Sequence, residues 1–323
     1  MIDAAIKRTA RDFGDVPDDD AIRAAIMKPV HPPMQTIMLE DFLARQFPPR
    51  ETLLAPWLPA KGLAMVFAPR GIGKTHFALN VAYAVASGGS YLMWQASRPH
   101  KVLLLDGEMP AVALQERLAS IVGNALSEPP GPGYISLLPY DLFETGGPDL
   151  STSEGQRMLE PLIGDAELIV VDNISPICRA GKENEAESWG SIQGWALEQR
   201  RKGRTVLFVH HAGKGGEQRG TSKREDVMDS VIKLARPSDY CPTEGARFAV
   251  MFTKSRGFSG PEAEPFEAAL HNGIWTTKSL EDVRTTQILQ LHAEGLNQRD
   301  IAAEVGCSAA TVNRVIGKHK GGS

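Results

Sequence analysis

Ala68-Pro69-Arg70-Gly71-Ile72-Gly73-Lys74-Thr75 lies between an apolar run, Gly62-Leu63-Ala64-Met65-Val66-Phe67, and an apolar-faced segment from His76 to Val85. Strand, glycine turn and helix in that order make a phosphate-binding loop. Gly71 and Gly73 let the backbone wrap closely, so that successive N–H groups point inward at negative oxygens. A helix starting near Lys74 adds its N-terminal partial positive charge at the same place. On this reading Lys74 reaches the β- and γ-phosphates and Thr75 offers its hydroxyl to Mg²⁺. The full pattern begins with Gly; Ala68 stands there instead and is expected to hold a turn usually given to Gly. The stretch predicts a nucleoside triphosphate site.

A chain of 323 residues suffices for one sizeable core and a small appendage. No apolar run reaches the ~20 residues that span a bilayer. The N-terminus, Met1 to Arg8, lacks a signal-peptide layout, and the chain turns acidic by Asp18-Asp19-Asp20. Cys178, Cys241 and Cys307 have no metal-ligand spacing and read as free thiols of a reducing cytoplasm. A net charge of −4 gives no overall attraction to nucleic acid, so any such binding must come from local basic patches. Residues 1–35 read as an arm, either latching onto a neighbouring subunit or hanging free as a tail. Lys28 to Pro33 breaks it, and a helix is expected from Leu39 to Gln46, before Pro48-Pro49.

Two apolar runs end in acids. Lys101-Val102-Leu103-Leu104-Leu105-Asp106-Gly107-Glu108 reads as a buried parallel strand whose C-terminal end meets a ligand. Glu108 is the candidate base for a water attacking the γ-phosphate, with Asp106 second. Leu168-Ile169-Val170-Val171-Asp172-Asn173 is the other, and Asp172 suits the carboxylate that holds Mg²⁺. Between them, Ala111 to Ala125 reads as a helix, and Ser151-Thr152-Ser153-Glu154 has capping-box spacing.

A third strand, Thr205 to His211, ends in paired histidines. A polar side chain there can touch the γ-phosphate and relay its loss to the following loop. The pair raises the thought of a metal, but no third ligand lies nearby in sequence. The loop from Ala212 to Arg224 is Gly-rich and basic. Lys214, Arg219, Lys223 and Arg224 suit a phosphodiester backbone gripped and released, unless the loop is simply solvated surface. Lys254 and Arg256 are two apart on an expected strand and share a face. They serve either as a finger for a neighbouring subunit's nucleotide or as solvated edge charges.

The last segment changes character. Asp282 to Ala293 is expected to be helical, Asn297 to cap Gln298 to Val305, and Ser308 to cap Ala309 to Lys318. Short helices joined by a Gly-containing turn of this length make a helix-turn-helix. Thr311, Asn313, Arg314 and Lys318 are its candidates for contact with duplex DNA.

Taken together, residues 50–275 resemble the RecA-like AAA family ATPases that include the RepA-type hexameric plasmid helicases, and more distantly the DnaB-type replicative helicases. The likeness rests on Ala68 to Thr75, Leu105 to Glu108, Val170 to Asn173, Lys182-Glu183-Asn184, Phe208 to Lys214 and Arg219 to Ser222. It implies an ATPase using ATP and Mg²⁺, a catalytic Glu108, a Mg²⁺-binding Asp172 and a γ-phosphate sensor at His211. Lys254-Ser255-Arg256 resembles the trans-acting finger of the DnaB group, with Arg219 in reserve. The stretch from Leu280 to Lys320 is similar to the helix-turn-helix of resolvases and bacterial regulators, a unit absent from the minimal plasmid helicase. The expected architecture is α/β: an arm (1–35), a RecA-like domain with a doubly wound, mostly parallel sheet (36–276) and an all-α module (280–320). The expected function is a DNA-associated motor, a hexameric ring helicase passing single-stranded DNA. The rival is an ATP-switched DNA-binding regulator or loader without helicase activity.

Overall fold

The structure, a computed structural model, describes residues 35–179, 185–212, 224–237 and 239–320. The chain divides between Pro49 and Arg50 into two units, later than the arm boundary expected near residue 35. In the first, the described residues form one short helix, α1 (Leu39–Ala44), which stops two residues before Gln46 as the backbone turns extended at Arg45.

The second unit opens with a small hairpin, β1 (Thr52–Leu54) and β2 (Leu58–Pro59), then β3 (Leu63–Ala68) and α2 (Lys74–Ser87). Gly88, at φ 67°, ends α2 by donating its N–H to Ala84 O, the usual work of a left-handed glycine at a helix C-terminus. A second hairpin, β4 (Ser90–Tyr91) and β5 (Trp94–Gln95), precedes β6 (Val102–Asp106), α3 (Ala111–Asn124) and β7 (Ile135–Pro139). Then come α4 (Ser153–Ile163), β8 (Leu168–Asp172), α5 (Ile174–Ile177), α6 (Glu185–Arg201) and β9 (Thr205–His211). The sheet closes with β10 (Ser230–Ala235), β11 (Arg247–Ser255), β12 (Phe266–His271) and β13 (Ile274–Ser279).

Nine strands form one sheet in the order β13-β12-β11-β10-β3-β9-β8-β6-β7. The six from β10 to β7 run parallel, and the pairings of β10 through β13 are antiparallel. This is the doubly wound, mostly parallel sheet that the sequence predicts. Both faces are covered, which is why the central strands read as unbroken apolar runs. In β3, Ala64, Val66 and Ala68 join one core layer while Leu63, Met65 and Phe67 join the other, as a period of two requires. The N-cap lies one residue later than the expected capping box, and Gly155 at N3 has no side chain to complete one. Thr152 is the N-cap of α4, accepting from Gly155 N at 3.0 Å, while the Ser151 hydroxyl turns back to Asp149.

At the C-terminus stand α7 (Leu280–Ala293), α8 (Gln298–Val305) and α9 (Ala309–Lys320), around their own small core of Ile288, Ile301, Val312 and Ile316. Asn297 accepts from Arg299 N and Asp300 N, and Ser308 Oγ from Thr311 N at 3.2 Å, so both expected caps are present. No linker separates this module from the sheet: Ser279 ends β13 and also caps α7. Among the described residues, no helix is long and apolar enough to cross a membrane.

Candidate active site

Parallel strands that share a sheet present their C-terminal ends along one edge, where ligands of open α/β sheets sit. Here the register pairs Ala68 of β3 with His211 of β9, and Asp106 of β6 with Asp172 of β8. The four strands therefore deliver the phosphate loop, two acids and a histidine to one rim. A cavity of about 500 Å³ opens there, lined among others by Gly73, Thr75, Glu108, Asp172, Asn173 and His211.

The loop takes its shape from two glycines. Gly71 has φ 74° and Gly73, the N-cap of α2, φ 117°, both in the left-handed region that favours glycine. Ala68 is not such a residue. It is the last residue of β3 and has no positive φ, and its carbonyl accepts from Ala212 N at 2.9 Å. The expectation that Ala68 holds a glycine turn is thereby corrected: the turn lies farther on, and the strand position takes Ala without strain.

Lys74 is buried, and its Nζ donates to Ala68 O (3.1 Å) and Pro69 O (3.0 Å). Burial lowers its pKa, and the fields of Asp172 and Glu108 act against that shift. The ammonium is thus folded over the loop, within its own cradle.

Asp172 is almost wholly buried. Desolvation, then the nearby Asp106 charge, push its pKa up to about 7, against a hydrogen bond from Thr75 and the Lys74 charge. Asp106 Oδ1 accepts from Met109 N (2.7 Å) and Glu108 N (3.2 Å), and burial raises its pKa as well. The Oδ2 atoms of both acids are buried without a hydrogen-bond partner. Two unsatisfied carboxylate oxygens beside a threonine hydroxyl form a donor set for a small hard cation. Such a cation completes its shell with water and phosphate oxygens. Thr75 and Asp172 are the residues that would hold it. Among the described residues no cluster of three or more His, Cys, Asp or Glu could bind a metal by itself.

Glu108, the candidate base, is half exposed, and its Oε2 accepts from Asn173 Nδ2. The same amide nitrogen lies 3.1 Å from His211 Nε2, which is 3.4 Å from Glu108 Oε2. Burial, then Lys74, lower the His211 pKa, against the neighbouring Glu108. Asp106 is the better buried of the two acids, but its Oδ1 is committed to backbone N–H groups; Glu108 is the one that faces open space. Asn173 was not singled out by its sequence. Its only signal is a polar side chain directly after a strand-terminal acid.

His210 and His211 alternate across the strand. His211 faces the cavity, whereas His210 is buried on the other face with its Nε2 2.8 Å from Arg224 NH1. Arg224 is itself buried, with its guanidinium 5.5 Å from the Trp189 ring centre. This corrects its assignment as a nucleic-acid contact: it is a core side chain at the foot of the basic loop. Lys214, Arg219 and Lys223 lie outside the described residues.

Lys254 and Arg256 do share a face, although Arg256 lies just beyond the end of β11. Lys254 Nζ donates to Glu225 O and Asp226 O, and Arg256 NH2 to Asp226 O at 3.0 Å. Ser255 pairs with Ser230, and Ser230 with Ala64 near the start of β3. The two cations therefore sit at the sheet edge opposite their own phosphate loop, which follows Ala68. On α9, Asn313 and Arg314 are exposed, and Arg314 NH2 is 3.9 Å from Glu281. Thr311 is half-buried, its hydroxyl 3.0 Å from Ser308 Oγ, and Lys318 lies on the same helix.

The stretch between β10 and β11 reaches the phosphate loop through Arg236 and ends at the cavity. Arg236 donates to Gly71 O at 3.0 Å and stacks 4.8 Å from the Tyr240 ring, whose hydroxyl donates to Gly245 O. Gly245 and Ala246 line the cavity itself.

Residues 29–217 match a family described as an AAA domain, and residues 282–322 match one described as a homeodomain-like domain. No curated protein sequence matches the chain. Among solved structures, a KaiC-like protein from the hyperthermophilic archaeon Pyrococcus horikoshii is similar at 16% identity and a TM-score of 0.48. The match covers 68% of this chain and 90% of that one.

Proposed function

This chain belongs to the AAA domain family, and on that premise we propose that it hydrolyses ATP with Mg²⁺ as a DNA-associated motor. The observation that carries the proposal is the meeting of phosphate loop, Asp172, Glu108 and His211 in one cavity. Lys74 and the loop N–H groups hold the phosphate chain. Thr75 and Asp172 would hold the cation, which would supply charge neutralisation. Glu108 takes the proton of the attacking water, and His211 contacts the γ-phosphate.

The finer reading is a ring helicase, a hexamer that passes single-stranded DNA and serves replication of a plasmid or mobile element. Its support is the placement of Lys254 and Arg256 at the end of the sheet away from their own nucleotide site. The sequence resemblance points the same way. A second reading, an ATP-switched DNA-binding regulator or loader, draws support from one proximity. Asp239, between β10 and β11, has its pKa lowered, against burial, chiefly by Arg247 and to a small extent by Gln287 on α7 of the homeodomain-like module, so the Asp239 and Gln287 side chains are near one another.

ATPase rates with and without single-stranded DNA, taken alongside sizing of the nucleotide-bound complex, test the proposal. A ring whose turnover rises with single strands supports the motor. Sequence-specific protection of duplex DNA without strand displacement moves the conclusion to the regulator.

A further inference from the structure

Asn173 has three attachments, each with a different consequence. Its Oδ1 accepts from Ser175 N at 3.1 Å and caps α5. Its Nδ2 donates to Glu108 Oε2 and lies 3.1 Å from His211 Nε2. One amide nitrogen carries two N–H bonds, and it lies within hydrogen-bonding distance of both side chains. The side chain is 1% exposed, so its orientation is fixed by packing, whereas the Glu108 side chain is 57% exposed. A carboxylate that must meet a water in line with the γ-phosphate loses rate steeply when it wanders.

The geometry points to Asn173 as the positioning residue of this site: its buried amide holds the general base and the γ-phosphate sensor in one fixed relation. Displacement of His211 by an arriving phosphate is then passed to Glu108 through a single rigid group. This rests on the reading of Glu108 as the base and adds a residue to it.

The substitution Asn173→Asp separates the attachments. Aspartate caps a helix as well as asparagine, so the α5 contact survives, while both N–H donors are lost. Steady-state turnover, ATP affinity and thermal midpoint are measured for Asn173→Asp, Glu108→Gln and the double variant. The expected result is a fall in kcat of about tenfold or more for Asn173→Asp, with KM within about threefold and the midpoint nearly unchanged. In the Glu108→Gln background the second substitution costs less than about twofold, because the group it positions is already gone. Asn173→Ser, uncharged and also a capping residue, is too short to reach both partners. It repeats the test if the aspartate variant does not fold.

A kcat within twofold of wild type, or losses that simply multiply in the double variant, would overturn the inference. Full turnover in Glu108→Gln would overturn the base assignment together with it. Loss there with retention in Asn173→Asp overturns the positioning role alone.

Discussion

At the scale of single residues, the site is a contest between burial and charge. Glu108 has kept its access to the cavity, and removing only its charge tests its role. Glu108→Gln should leave ATP binding largely intact and cut turnover by ~10²–10⁴-fold, the usual contribution of a general base. Lys74→Ala should weaken nucleotide binding as well. Turnover within about threefold of wild type in Glu108→Gln would shift suspicion to Asp106. Asp172 makes the opposite case, a carboxyl whose environment opposes its ionised form. Its folded pKa, about 7, lies above the ordinary 3.8. Between these values the native state holds more protons than the unfolded one, so stability falls as pH rises through that window. In nucleotide-free, Mg²⁺-free protein, Asp172→Asn should therefore raise the thermal midpoint above pH 7 and change it little near pH 4. A midpoint difference that is the same at both pH values would refute the assignment. Glu108, Asp172 and His211 were legible because each ends an apolar run, a pattern readable within a few residues. Asn173 was not, because its partners come from the turn after β6 and the end of β9, 65 and 38 residues away in the chain.

At the scale of elements, β11 carries the clearest consequence. It runs antiparallel to β10, so its C-terminal end lies where the parallel strands begin. Lys254 and Arg256 are anchored there on the carbonyls of Glu225 and Asp226. If they act across a subunit boundary, loss of one function should be complemented by mixing. Arg256→Ala lacks the finger but keeps the phosphate site, and Lys74→Ala lacks the site but still presents the finger. Mixed assemblies should recover ATPase activity above either parent. Strictly additive activity from assemblies shown to contain both chains would place the finger elsewhere, with Arg219 the first alternative. The alternation of Lys254 and Arg256 was readable from a period of two. Their anchorage was not, since it depends on a segment that follows the Gly-rich loop. The same limit applies to Arg224, which in sequence is one more cation of a basic loop. Only the fold lays it against His210 and Trp189.

At the scale of the whole molecule, an acidic chain combines a nucleotide site with a helix-turn-helix, and the two are joined without a spacer. The module's caps and apolar positions were local in sequence and therefore legible. The proximity of Asp239 to Gln287 was not, because nothing in either stretch specifies the other. The chain's net charge of −4 means that the module must act on DNA through its own local field. From Gly306 onward the chain carries Arg314, Lys318 and Lys320 and no Asp or Glu. A helix presenting Asn313 and Arg314 can pair with phosphates and read base edges. Every candidate for hydrolysis lies upstream, so a chain ending at Ser279 should keep its basal ATPase rate. Its affinity for duplex DNA should fall, and the salt dependence of the remaining binding should become shallower as phosphate contacts are lost. Fluorescence anisotropy of a labelled duplex, titrated with intact and truncated protein over a range of salt, reads both quantities. Indistinguishable curves would make the module a protein-docking unit. A changed basal rate would instead show that the module is coupled to the nucleotide site.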